Sequence, residues 1–153
     1  MSTLFKKLQY KEHPDLLLLN APESFRTHLT ELNTDTKLAE SLEDGSSFSF
    51  ILAFVQYQEE INHLTPLFNV ILPGDGLLWF AYPKGSSKKY TCNFNRDAGW
   101  EILGQFGFEA VRQVSIDEDW TALRFRRVAY IKKMHRRKSF ALSEKGKKKT
   151  KGK

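Results

Sequence analysis

The chain has a single cysteine, Cys92, among its 153 residues. That scarcity excludes an internal disulfide and any metal centre built on several thiolates, and it fits a reducing compartment. Long apolar runs are also missing: Leu16 to Leu19 stand alone between Asp15 and Asn20, whereas a spanning helix needs about 20 apolar residues. Lys6 and Lys7 precede no apolar stretch and no small-residue cleavage site, so residues 1–9 do not read as a secretory signal. The expected location is the cytoplasm, with no membrane partner. His13, His28, His63 and His135 are scattered without paired ligand spacing, so no metal is expected.

What is present is the composition of a globular chain, with 41% hydrophobic and 27% charged residues, at a length suited to one domain. The net charge of +6 is unevenly distributed. Residues 1–129 hold 13 Lys and Arg against 17 Asp and Glu, a net of −4, while residues 130–153 hold 11 against 1, a net of +10. The high isoelectric point therefore describes an appendage and not the body. The expected organisation is one α/β domain over residues 1–131, followed by a basic, disordered tail over 132–153.

Along the chain, Leu4, Phe5 and Leu8 belong to a polar lead-in and are expected to lie against the body. "DLLLLNAPESF" is a continuous apolar run that stops at Asn20 and Pro22, the pattern of a strand covered on both faces and followed by a helix. In that helix Phe25, Leu29 and Leu32 form one stripe. "TKLAESL" predicts a short edge strand, and "SFSFILAFVQ" and "LLWFAY" predict buried ones. Between these two, residues 57–72 have helical spacing, with Pro66 expected to kink or interrupt the helix. "NRDAGWEILGQFGF" predicts a helix that presents Trp100, Leu103 and Phe106 and stops at Gly107. "EAVRQVSI" and "TALRFRRVAYI" alternate apolar with polar residues across the short connection "DEDW", which predicts an antiparallel hairpin.

Alternating strands and helices with continuous apolar strands imply a mostly parallel sheet covered on both faces. From about Ser47 to Ile131 this order resembles the second half of the class I, S-adenosylmethionine-dependent methyltransferase fold. That likeness implies a Rossmann-like three-layer sandwich, strand order 2-1-3-4-6-5, with a C-terminal antiparallel hairpin. In that family the loop after the first strand is glycine-rich and a carboxylate after the second holds the ribose. Here the loop is Asn20-Ala21-Pro22-Glu23-Ser24, without glycine, and Pro22 removes an amide donor. Glu40 and Glu43 do not stand at convincing spacing for the carboxylate. The departure implies loss of the usual cofactor site, and no cofactor is expected. The runs "LLLLNAPESF", "LLWFAYPKGSSKKY" and "NRDAGWEILGQFGFEAVRQVSIDEDWTALRFRR" also resemble a family of small bacterial proteins that has no assigned activity.

Ligands of open parallel sheets bind beyond the carboxyl ends of the strands. With the expected order that edge collects Asn20, Glu23 and Ser24, then Tyr57, then Lys84, Ser86 and Lys88, and finally Asp117 and Trp120. "PKGSSKK" offers amides, hydroxyls and lysines to an anion. It lacks the Gly-Lys-Ser/Thr ending of a P-loop, and an ordinary exposed loop is the favoured reading. The three acids of "DEDW" are expected to diverge into water or to form a structural salt bridge with Lys84 or Lys88. Cys92, near Lys89 and Arg96, has no histidine partner in view and reads as a small semi-buried residue. No catalytic residue is assigned.

The basic tail is the clearest signal outside the core. Lys132, Lys133, Arg136, Arg137 and Lys138, followed by Lys147, Lys148 and Lys149, attract phosphate by counterion release. Solubility, nonspecific adhesion and a true nucleic-acid role all fit such a segment. The functional expectation is a noncatalytic binding module that contacts nucleic acid through this tail, with a protein partner unidentified. The alternatives are an enzyme with an altered S-adenosylmethionine or nucleotide pocket at the strand ends, and a protein-interaction domain.

Overall fold

A computed structural model describes residues 3–11, 13–32, 35–42, 47–95 and 98–131. The expectations for the tail, for Glu43 and for Arg96 lie outside these residues. Six strands form one sheet: β1 (Asp15–Leu19), β2 (Lys37–Ala39), β3 (Phe50–Phe54), β4 (Leu77–Pro83), β5 (Phe108–Ser115) and β6 (Trp120–Arg127). Their order is β2-β1-β3-β4-β6-β5. The first four are mutually parallel, and β6 runs antiparallel to both β4 and β5. This is the Rossmann-like arrangement that the sequence implies, closing hairpin included.

The apolar strands are continuous because both faces are covered. Leu17, Ile51, Phe80 and Phe125 belong to one buried cluster with Ile61, Phe68 and Leu103. These last three come from α2 (Gln58–Ile71) and α3 (Glu101–Gln105). Leu16, Leu18, Leu52 and Trp79 belong to the opposite cluster with Phe5, Leu8 and Phe25. The lead-in forms a short helix, α1 (Thr3–Lys7), and the Trp79 Nε1–H donates to the Leu8 carbonyl at 3.0 Å. That bond fixes the N-terminal segment to the middle of the sheet.

Three local expectations need correction. The segment after β1 is a 3₁₀ helix, Glu23–Glu31, and not an α-helix. Its tighter winding accompanies hydroxyl bonds from Thr27 to the Ser24 carbonyl and from Thr30 to the Thr27 carbonyl. Phe25 is buried, while Leu29 and Leu32 are only half-buried. Pro66 does not interrupt α2, which runs unbroken from Gln58 to Ile71. The carbonyl that loses a partner to this proline belongs to Asn62, an exposed position where water can serve it. Finally, α3 covers only Glu101–Gln105, a short helix followed by Gly107 at φ +83°.

The amino edge of the sheet is tied by arginines of β6. Arg127 donates to the Asn69 and Leu72 carbonyls at the end of α2, to Asn69 Oδ1 and to the Gly74 carbonyl, and it lies 4.8 Å from the centre of the Phe108 ring. It therefore caps the C-terminus of α2, where a cation also complements the helix dipole. Arg126 forms a bidentate pair with Asp75, whose hydrogen bond raises the guanidinium pKa.

Candidate functional site

The carboxyl ends of β1, β3, β4 and the start of β6 share one edge, and each end is finished differently. After β1, Asn20 turns the chain in the left-handed region at φ +59°, a conformation that asparagine tolerates better than most residues. Glu23 and Ser24 are exposed in the 3₁₀ helix that follows. Between them and the sheet, Phe25 is buried edge-on against Phe54 at 5.1 Å and against Phe5 at 6.0 Å. Aromatic packing continues along the edge from Phe54 to Trp120 at 5.1 Å, and from Trp120 to Tyr90 at 4.9 Å. Trp120 is thus a buried edge of the core.

After β3, the amides at the start of α2 find acceptors within the chain. Glu60 Oε1 accepts from the Gln56 and Tyr57 amides at 2.7 and 3.0 Å, and Asn93 Oδ1 accepts from the Gln58 amide at 2.8 Å. The Tyr57 side chain is exposed. This closed capping arrangement satisfies donors that a helix N-terminus otherwise offers to an anion.

After β4, the chain makes a tight turn over Lys84 to Ser87, closed by the Ser87 amide on the Lys84 carbonyl at 3.0 Å. The turn is held on the hairpin loop. The Lys84 amide donates to the Asp119 carbonyl at 2.8 Å and the Ser87 hydroxyl donates to Asp119 Oδ1 at 2.8 Å, while Ser87 Oγ accepts the Tyr90 amide. Asp117 caps the loop itself, accepting the Asp119 and Trp120 amides at 2.8 Å each. The acids of "DEDW" therefore shape two turns. Lys84 Nζ is bonded to Ser115 Oγ at 2.7 Å and not to those acids.

A cleft of about 730 Å³ opens beside this turn, over β4 and the β5–β6 hairpin. Its size is that of small-molecule sites, about 300–1,000 Å³. Lys84 and Ser86 line it; Asn20, Glu23, Ser24 and Tyr57 do not. Lys88 lines a neighbouring hollow with Ser86, Lys89 and Glu118. Sequence reasoning missed Gln113, Ser115 and Thr121, which form the hairpin wall of the cleft. The available signal was the alternation in "EAVRQVSI", which puts Gln113 and Ser115 on one face of β5. Cys92 is half-buried in the opposite wall, its thiol donating to the Phe94 carbonyl at 2.9 Å. Among the described residues, no group of three or more His, Cys, Asp or Glu is placed to hold a metal ion. Likewise, no helix among them is long and apolar enough to cross a membrane.

No family model matches the chain, and no curated protein sequence does. Solved structures do match. The N-methyltransferase NodS from Bradyrhizobium japonicum WM9 is 15% identical with a TM-score of 0.52, over 81% of this chain and 92% of that one. The Methanococcus jannaschii fibrillarin pre-rRNA processing protein is 15% identical with a TM-score of 0.50, over 76% of this chain and 67% of that one. The fold is accordingly that of the class I S-adenosylmethionine-dependent methyltransferases. At these identities the likeness concerns the fold alone.

The residues of this chain do not fit the methyl donor that the fold implies. Pro22 brings no N–H to the loop after β1, and Phe25 is packed under that loop. Glu40 does follow β2 directly, at the position of a ribose carboxylate, but its Oε1 is paired with the Arg26 guanidinium. The amides after β3 are held by Glu60 and Asn93.

Proposed function

We propose that the chain is a noncatalytic binding module on a degenerate methyltransferase-like scaffold, and that it contacts nucleic acid through its basic C-terminal segment. One observation carries the reading: the amides that follow β3, at the strand ends where ligands of such sheets bind, are bonded to Glu60 and Asn93 of the same chain. A scaffold whose donors are already answered has no further need of a methyl donor to complete its fold. The charge separation supports the choice of partner, since a body of −4 carries a segment of +10. In this reading residues 1–131 are the body, residues 132–153 are the contact segment, and the protein works in the bacterial cytoplasm.

The test compares the full chain with a full-length variant in which Lys132, Lys133, Arg136, Arg137, Lys138, Lys147, Lys148 and Lys149 are all changed to Gln. Fluorescence anisotropy with a labelled single-stranded RNA of mixed sequence is recorded over a range of salt. The native chain should lose affinity steeply, with a log–log slope of about −0.7 for each phosphate neutralised. The variant should bind weakly and with a nearly flat slope. Equal affinity and equal slope for the two proteins would remove the nucleic-acid role.

A further inference from the structure

The turn after β4 leaves two backbone donors uncommitted beside the cleft. Gly85 and Ser86 are its central residues, and their amides donate to no acceptor among the described residues. Lys84 Nζ gives one bond, to Ser115 Oγ, and an ammonium has three donors. The Ser86 side chain is exposed at the mouth of both the 730 Å³ cleft and a hollow in which Lys88 and Lys89 stand with Glu118 and Asp119. A methyl group built on Gly85 would meet nothing within 4 Å, so the turn is open to an incoming group. The turn is also rigidly placed, by the Lys84 and Ser87 bonds to Asp119.

The charge of the cleft selects its ligand. Among the described residues, Lys84 is the one charged residue of its lining, and the neighbouring carboxylate, Asp119, is engaged by the Ser87 hydroxyl. Behind the turn the wall carries the half-buried Tyr90 ring, which rests on Trp120, the mostly covered Tyr82 and Phe94, and the amide side chains of Asn95 and Gln113. A cationic, amide-donating mouth suits a phosphate. A mixed aromatic and amide interior suits a planar heterocycle that offers both a π-face and hydrogen-bonding edges. Free phosphate would leave most of the cleft unfilled.

We infer that this cleft is a nucleotide site, in which the Gly85 and Ser86 amides and the Lys84 ammonium hold a phosphate and the half-buried Tyr90 ring receives the base. The inference rests on the nucleic-acid reading above and deepens it, because it gives the body a site for one nucleotide of a strand that the basic segment attracts. A free mononucleotide and a nucleotide within a strand present the same chemistry here, and the experiment separates them.

Amide spectra of the full-length 15N-labelled chain are recorded during titration with AMP, GMP, CMP and UMP, with adenosine and inorganic phosphate as partial ligands. At least one nucleotide should shift the Gly85, Ser86 and Thr91 amides saturably, more tightly than either partial ligand. Lys84→Met and Ser86→Glu should each weaken that binding at least tenfold. Ser86 is exposed, so its replacement leaves the fold intact even if Lys84→Met does not. The Gln-substituted variant should bind the mononucleotide as the native chain does. If the strand is the source, a single-stranded oligonucleotide should bind at least tenfold tighter than any mononucleotide and should lose that advantage in the Gln-substituted variant; if the free nucleotide is the source, the two affinities should agree. No shift at these amides with any probe, or shifts that ignore both substitutions, overturns the site. RNA affinity that depends on the basic segment while the cleft stays silent would sink this inference and leave the broader reading standing. Mononucleotide binding with RNA affinity indifferent to the basic segment would do the reverse.

Discussion

The two halves of the carboxyl edge are built from the same kinds of parts and treat them in opposite ways. Over β1 and β3, the turn residue is Asn20, the next helix is 3₁₀, Phe25 is wedged beneath it, and the amides leading into α2 are bonded to Glu60 and Asn93. Over β4 and the hairpin, Ser87, Asp117 and Asp119 fix the loops, yet the Gly85 and Ser86 amides remain open beside a cleft. The first half is closed by the chain's own packing and hydrogen bonds. The opening lies one strand further along the sheet.

The largest test of this contrast is Phe25→Ala. Removing a buried ring that touches Phe5 and Phe54 should cost about 3–5 kcal/mol in urea unfolding. A loss below about 1 kcal/mol would mean that the ring does not hold the first half closed. Next comes Arg127→Met, which leaves the terminal carbonyls of α2 without their donor. About 2–3 kcal/mol is expected, by comparison with other hydrogen bonds to charged groups.

A smaller pair of substitutions contrasts closed and open backbone within the cleft region. Gly99→Ala should cost more than about 1 kcal/mol, because Gly99 sits at φ +106° and a new Cβ would lie 2.7 Å from Phe94 Cβ. Gly85→Ala should stay within about 0.5 kcal/mol of the native chain, since nothing stands near it. Equal losses at the two positions would contradict the open turn.

The smallest effect concerns His13, at the amino edge, where it meets Tyr10 and Phe50 and accepts the Lys11 amide. Burial lowers its pKa below 6.5, Asp15 opposes that shift and Lys11 adds to it. The unfolded chain therefore takes up the proton first. Stability contributed by the neutral ring is present above pH 6.5 and declines as pH falls through the lower folded value. Unfolding midpoints measured from pH 7.5 to 5 should show this decline, and His13→Gln should flatten it.

Much of this architecture is legible in the chain itself. The apolar runs of β1, β3 and β4, the hairpin alternation and the Gly107 stop are local signals that burial then satisfies, whereas the strand order follows from the resemblance to the methyltransferase fold. The winding of residues 23–31 is not legible, because Phe25, Leu29 and Leu32 suit either helix type and the threonine hydroxyl bonds accompany the tighter one. Pro66 misleads because an exposed helix face tolerates a missing amide. For the cleft, Lys84 and Ser86 follow from the strand-end rule. Ser115 and Thr121 do not, because polar residues on a hairpin look the same in sequence whether they meet water or a ligand.

The most direct measurement is a titration of the full-length 15N-labelled chain with S-adenosylmethionine, following the amides of Asn20, Ala21, Glu23 and Ser24. The account predicts no saturable shift at millimolar concentration, because Pro22 removes an amide donor from the loop and the chain's own residues answer the amides after β3. A saturable shift at those amides would contradict it and return the chain to the methyl-donor-dependent enzymes.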